Sequence, residues 1–442
     1  MRKNELARDS ISLLVPDVDT DGSGLSSFGA VCIMLKTTLG AGLLNFPWAF
    51  NKAGGVYTSI AVEMVSLIFL ISGLVMLGYA SSITKESTYQ GVVKKLCGPS
   101  IGRLCEICYI VNIFIISVAF LQVVEDQAGK LCDYFYMNEA MTDGNGTPKH
   151  WYTDHKFALF VICAVIILPL SVPKEITFQK YTSLLGTLAA TYLAVAVIIK
   201  YYLKKDEIIF REVPQTSRIS SWASMFSVVP TICFGFQCHE ASVAIYTSMK
   251  NKKLSNWILV SVLSMFFCLL IYSLTGAYGY LTFGADVAAD ILMSYPRNDV
   301  VIIIGRLLFG ISIITIYPIM LLLGRSVLNE VWLTYKRKYA VISEWYETFV
   351  RITLTVSWIL VTMLIAMFVP DISEVISLVG GISAFFIYIF PGLCLVCAMQ
   401  TEPVSPKIRN CWIVWGSISI ICGAFIFGQS TTIAVMELFL RK

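Results

Sequence analysis

Long stretches with almost no charge constrain this chain more than any motif in it. Residues 299–323 and 349–369 each run for the length of a membrane span and carry few ionisable side chains. A helix that crosses the hydrocarbon core needs about 20 predominantly apolar residues. Such a segment has to be helical, because a helix pairs its own backbone polar groups and a lone strand leaves them bare in lipid. Composition agrees: 57% of the 442 residues are hydrophobic and 14% are charged, against roughly 25% charged in soluble domains. A globule of this size has too little polar surface to cover itself, and a lipid-facing exterior removes the conflict.

Hydropathy and length give eleven expected spans, at 27–50, 54–80, 103–128, 156–173, 180–203, 222–248, 255–283, 299–323, 349–369, 372–399 and 410–438. Lys and Arg concentrate in alternate connections, among them Lys94, Lys95, Lys250, Lys252, Lys253 and Lys336 to Lys338. The positive-inside rule then puts the N-terminus in the cytosol and, with an odd count, the C-terminus outside. The basic stretch Lys204–Arg218 runs against the rule. The sequon Asn145-Gly146-Thr147 falls in the longest loop, which this topology places outside, so Asn145 is a candidate glycosylation site.

Several other classes are excluded or disfavoured. A net charge of +4 without a basic, aromatic-interleaved patch argues against nucleic-acid binding. Most of the thirteen cysteines, such as Cys32, Cys163, Cys233, Cys268 and Cys394, lie inside apolar runs, where a thiol behaves as a small hydrophobe. No CxxC pair is followed by a second at zinc-site spacing, since Cys105–Cys108 and Cys394–Cys397 lie far apart in the chain, so no zinc site is expected. The first 26 residues lack an apolar h-region and are not read as a cleaved signal peptide. They contain Asp9-Ser10-Ile11-Ser12-Leu13-Leu14, which fits the acidic dileucine pattern of sorting adaptors and fits an ordinary tail equally well.

Two spans are interrupted. Span one reads VCIMLKTTLGAGLLNFPWAF, with Gly40 and Gly42 around Ala41 and Pro47 beyond. Glycine weakens a helix interior by about 1 kcal/mol against alanine, so this is a point of unwinding, although close helix packing accounts for the pair equally well. Span six contains VVPTICFGFQCHE, where Pro230 and Gly235 interrupt the apolar run. Similar breaks five spans apart are the mark of two five-helix inverted repeats. Free N–H groups at one half-helix end suit a carboxylate, and free carbonyls at the other suit a cation or ammonium group. An amino acid carries both.

LGAGLLNFPWAF in span one and FGFQCHEASVAIY in span six resemble the first- and sixth-helix motifs of the sodium-coupled neutral amino acid transporters, solute carrier family 38. TYQGVVKKLCG, WYTDHKFAL and the stretch from Ser377 to Gly392 are similar too. The resemblance implies an all-α membrane protein of the LeuT-like, amino acid/polyamine/organocation type. That is a 5+5 inverted repeat plus one C-terminal helix, about eleven in all. On that basis the chain divides into a cytosolic tail (1–26), a first repeat (27–203), an outer loop (204–221), a second repeat (222–399) and a last helix with its tail (400–442). It also implies transport of glutamine and other neutral amino acids with Na+ or H+ as coupling ion and no other cofactor. Motif by motif, the substrate carboxylate is expected at Gly40, Ala41 and Gly42, beside Thr38. The ammonium and side chain are expected at Phe234, Gly235, Phe236 and Gln237. The sodium site is expected between span one, at Thr37, and a hydroxyl of span eight, Thr315 first and Ser312 second. Back-bonding to their own helix competes for these hydroxyls.

The chain departs from the family at Lys36, where asparagine is common. A lysine at the centre of a span costs roughly 2.5–3.5 kcal/mol on insertion scales, and about 15 Å of helix separates it from the start of its span, far for snorkelling. Lys36 is therefore read as a coupling residue that leaves sodium against proton coupling open, with Glu63 of span two as its candidate counter-ion. Arg306 is assigned to the interface, and Glu106, Glu125 and Asp126 to solvated ends of span three. His239 is read as a satisfied buried donor. A nutrient-sensing receptor is the alternative function. A membrane enzyme is not expected, since HExxH and GxGD are absent. The expected partners are the amino acid and membrane lipid, for a monomer in the plasma membrane, with lysosome or endosome as the other compartments.

Overall fold

The computed structural model describes residues 25–143, 155–173, 179–204, 225–296, 298–337, 344–369 and 372–440. Asn145 and the Asp9–Leu14 segment lie outside them. The described residues are helical apart from turns and one isolated bridge between Leu25 and Met249. The helices are α1 (Ser27–Thr38), α2 (Phe46–Lys52), α3 (Val56–Thr84), α4 (Tyr89–Cys97), α5 (Pro99–Asp143), α6 (His155–Ser171) and α7 (Gln179–Lys204). There follow α8 (Val229–Gly235), α9 (His239–Ser248), α10 (Leu254–Phe283), the short α11 (Ile291–Ser294), α12 (Val300–Arg337), α13 (Glu344–Phe368), α14 (Ile372–Thr401) and α15 (Pro406–Leu440).

Among the described residues nine helical stretches are long and apolar enough to cross a membrane, and α1 with the 41–52 segment makes a tenth, bent by 52°. The expected fourth span appears as the shorter apolar α6, so an eleventh crossing rests on that helix. The chain passes back and forth between two faces. The near face carries Leu25 and the far face carries the turn between α2 and α3.

Local chemistry sets the ends. Ser26 caps α1 by accepting from the Gly29 N–H at 3.1 Å, and Thr88 caps α4 through Gly91 at 3.2 Å. The turn into α3 is made by Gly54 and Gly55, whose φ values of 89° and 111° exclude a Cβ without strain. The expected end of the third span near residue 128 is superseded. The α5 helix runs on to Asp143, so Glu125 and Asp126 sit half-buried within it rather than at a solvated end.

Layering follows apolar coverage. The most hydrophobic window of Phe226–Ser248 is 89% buried, and that of α15 only 22%. The sixth span is thus the axis of the bundle and α15 its lipid-facing rim. The α10 helix packs on α1, α2, α3 and α7 and ties the first span to the rest. Buried polar side chains are paired across helices: the Trp257 indole donates to the Leu74 carbonyl at 2.8 Å, and Tyr317 pairs with Thr362 at 2.7 Å.

The far face is closed by a strap, residues 284–296, laid between α10 and α12. Asp290 is 3% exposed. Its carboxylate accepts from the Leu292 N–H at 2.8 Å and from the Gln127 amide at 2.5 Å. Arg306, assigned to the interface from sequence, is instead 0% exposed. Its Nη2 donates to the carbonyls of Leu292 and Tyr295 at 2.9 and 3.2 Å. Arg306 is near the end of its helix, but the strap folds over that end and buries it. Burial pushes the Asp290 carboxyl up to about 7, against the pull of the Leu292 N–H, the Arg306 guanidinium, the Gln127 amide and Lys130. Protons therefore bind the folded form more tightly than the unfolded one. Stability is expected to be higher at about pH 6 than at about pH 8, by roughly 1 kcal/mol. Thermal unfolding of the purified protein at both pH values checks this. Asp290→Asn should flatten the difference, and an undiminished pH dependence in that variant would assign it to another group.

Candidate substrate site at the two helix breaks

The first break is where expected. The α1 helix ends at Thr38, Gly40 is extended with φ −150°, and Ala41–Asn45 form a 3-10 turn that leads into α2. Pro47 lies in the first turn of α2, where its missing N–H costs nothing. The second break differs in one detail. Pro230 lies in the first turn of α8 and interrupts nothing; the helix stops at Gly235 and resumes at His239.

The two breaks touch. A Cβ placed on Gly42 would lie 2.8 Å from the Gly235 Cα and 3.3 Å from the Phe234 ring. Glycine at both positions permits this backbone approach. At Gly40, by contrast, a Cβ would meet nothing within 4 Å, so open space begins there. The first N–H groups of the 3-10 turn have no partner within it and carry the positive end of a half-helix. The C-terminal carbonyls of α1 and α8 carry the opposite sign. One small volume thus has both polarities on backbone groups.

Aromatic rings seal the junction. Phe46 stacks on Tyr272 at 4.4 Å with planes 3° apart, and Phe236 meets both edge-on. The Tyr272 hydroxyl lies 2.7 Å from the Thr38 carbonyl and 2.8 Å from that of Gly235. Beyond the second break, Ser383 of α14 donates to Gln237 Oε1 at 2.6 Å, and Asn112 of α5 donates to Glu240 at 2.8 Å. Asn45 joins both breaks to the strap. Its amide donates to the Ala289 carbonyl at 2.8 Å, and its oxygen accepts from Thr231 at 2.9 Å.

The expected substrate residues Gly40, Ala41, Gly42, Phe234, Gly235 and Phe236 therefore gather at one place, with Gln237 at its edge. The hydroxyls of Thr37 and Thr38 are committed to the Met34 carbonyl, at 2.9 and 2.7 Å, and offer only spare lone pairs. On α12 the two expected hydroxyls differ in their surroundings. Thr315 donates back to the Ser312 carbonyl at 2.8 Å. Ser312 is buried and its Oγ lies 3.3 Å from where a Gly186 Cβ would sit, so it faces α7. Both α1 and α12 pack on α7, which stands beside both.

Lys36 occupies the last turn of α1, at the negative end of the half-helix. Its Nζ has no exposed surface and no hydrogen-bond partner, so it does not snorkel here. The expected counter-ion is not Glu63. Glu63 is buried and accepts from Ser273 of α10, and no described ion pair within 4.0 Å joins it to Lys36. The reason is geometric: α1 packs chiefly on α10, α9 and α7, and α3 faces α10, α14 and α9. His239 is fully buried and its Nε2 lies 2.9 Å from the Leu70 carbonyl. A carbonyl only accepts, so Nε2 carries the proton, as the satisfied-donor reading requires. Tyr272, Asn112, Ser383 and Asp290 were not singled out from sequence. The first three sit in runs whose local pattern resembles any other polar residue in a span, and Asp290 lies in a connection that reads as an ordinary loop.

The family model described as transmembrane amino acid transporter protein matches residues 23–436. A Xenopus tropicalis protein assigned to sodium-coupled neutral amino acid transporter 8 is 66% identical over 99% of each chain. Human solute carrier family 38 member 8 is 54% identical over 96% of this chain and 97% of that one. Zebrafish (Danio rerio) sodium-coupled neutral amino acid transporter 7 is 43% identical over 98% and 92%. Among solved structures, the crystal structure of MhsT in complex with L-phenylalanine aligns with a TM-score of 0.58 at 14% identity, covering 92% of this chain and 99% of that chain. That likeness shows the fold alone, which is the LeuT-like inverted repeat with its first and sixth spans broken. Bundle, breaks and relatives agree: this chain belongs to the transmembrane amino acid transporter family and, within it, to the sodium-coupled neutral amino acid transporters of solute carrier family 38.

Proposed function

We propose that the protein is a secondary active transporter of small neutral amino acids, glutamine foremost, working by alternating access around the two breaks. The observation that carries this reading is the direct contact of the breaks at Gly42 and Gly235 beside open space at Gly40. Backbone N–H ends there suit a carboxylate and backbone carbonyl ends suit an ammonium group. The polar pairs Ser383–Gln237 and Asn112–Glu240 beside the second break favour a substrate whose side chain has hydrogen-bonding groups. The names of the relatives support sodium coupling and neutral substrates. In this reading the near face is cytosolic, the far face is outside the cell or in a lumen, and the protein works as a monomer. The plasma membrane is the first compartment, with a lysosome or endosome second. Uptake of radiolabelled glutamine into proteoliposomes, in sodium and in choline, is the direct test, and absence of uptake above empty vesicles under both conditions sinks it.

Lys36 decides how the coupling ion is handled. Its enclosed ammonium group neutralises the end of α1 where a cation would otherwise gain from the helix dipole. Lys36→Asn is therefore expected to strengthen sodium dependence and lower the half-activating sodium concentration by up to about tenfold, within the ~2 kcal/mol that a charge is worth at most at a partly buried helix end. Sodium activation curves at acidic and alkaline pH check it. Identical curves for both proteins leave Lys36 with a packing role only.

A further inference from the structure

We propose that Tyr272 is the positioning residue that holds the two breaks as one unit, its hydroxyl proton filling a point between two helix C-termini that otherwise suits a cation. This rests on the transport reading above and adds a residue to it. Three observations meet at that hydroxyl. The α1 helix reaches the middle of the bundle from the near face and ends at Thr38; α8 reaches it from the far face and ends at Gly235. Their terminal carbonyls converge within 2.7 and 2.8 Å of the same oxygen, supplied by a third helix, α10. The phenol ring is 0% exposed and fixed by its stack on Phe46.

Two C-terminal carbonyls aimed at one point repel each other and attract positive charge. A phenol has one proton, which here serves both acceptors. The breaks are thereby tied to α10 and to each other, alongside the contact of Gly42 with Gly235. The same proton occupies these two oxygens, so the substrate ammonium group is left the other free carbonyls of the two helix ends. Any cation that couples transport sits elsewhere in the site.

Tyr272→Phe tests this. It keeps the ring, its stack and its edge contacts, and frees both carbonyls. Uptake by the variant is expected to gain sodium dependence over wild type. Its sodium activation curve should steepen, and the half-activating concentration should shift by about three- to tenfold, the span one buried hydrogen bond covers. A loss of maximal rate with an unchanged sodium curve and unchanged substrate KM is what a merely structural hydroxyl gives, and it overturns the proposal. If Tyr272→Phe does not accumulate, Tyr272→His keeps a ring donor. Accumulation of that variant with a sodium curve like wild type supports the proposal, and failure of both variants overturns it. Wild-type vesicles without any uptake would sink the transport reading itself; superimposed curves for two active proteins would sink only this inference.

Discussion

Gly42→Val is expected to abolish uptake in a protein that still reaches the membrane. Even a methyl group on Gly42 would stand 2.8 Å from the Gly235 Cα, inside any real carbon contact. The obstacle is backbone, so no side-chain rotation relieves it. The breaks must separate, and the carbonyl and N–H ends lose their shared focus. A displacement of about 1 Å at a reacting or binding centre costs on the order of 100-fold. Gly235→Val does the same from the other side, because its Cβ would come within 2.7 Å of the Phe46 ring, which Tyr272 holds in place. Expression is expected to survive because most apolar burial lies in the long helices, away from the junction. Radiolabelled uptake normalised to surface-biotinylated protein measures the effect. Gly40→Ala is the informative contrast: open space surrounds it, so the fold is undisturbed and the change appears in substrate affinity. Normal uptake by Gly42→Val would remove the junction from the substrate path.

The second large effect is expected at Arg306. It is fully buried, one nitrogen donates to two strap carbonyls, and its charge lies beside Asp290. Arg306→Met removes the cation near Asp290 and leaves the buried carbonyls of Leu292 and Tyr295 without their donor. Each buried polar group left without its partner costs about 1–3 kcal/mol, and two of them are a large part of the stability of a marginal protein. The variant is expected to be retained inside the cell, with a clearly lowered thermal midpoint in detergent. Arg306→Lys restores the charge without the forked geometry and should recover part of the loss. Wild-type stability and surface expression of Arg306→Met would show that the strap is not needed to hold the far face together.

Both predictions concern places where one-dimensional reading and three-dimensional packing diverge. Gly40, Ala41, Gly42 and Gly235 were legible because glycine in a span is a backbone signal: it weakens the helix wherever it falls. Pro230 was misplaced because proline ends a helix and also begins one, and only the register of α8 tells which. Thr315 and Ser312 lie one turn apart and look interchangeable along the chain. Their difference is that Thr315 bonds back to its own helix and Ser312 faces α7. Glu63 is as intramembrane as Lys36, yet opposite charges on neighbouring spans meet only if the faces match, and the face of Glu63 belongs to α10.

By itself the sequence determined that this chain is a helical bundle in a membrane, broken in its first and sixth spans. Those properties follow from sums and local rules: hydropathy over a span, backbone pairing in lipid, and the helix-weakening effect of glycine. Only the tertiary structure decided that the breaks touch and that Tyr272 joins their carbonyl ends. It alone placed Arg306 beneath a strap and left Lys36 without Glu63. Those are contacts between residues up to 234 positions apart, as between Tyr272 and Thr38. Such contacts depend on helix rotation and depth, which apolar spans leave open because most of their faces are equally greasy.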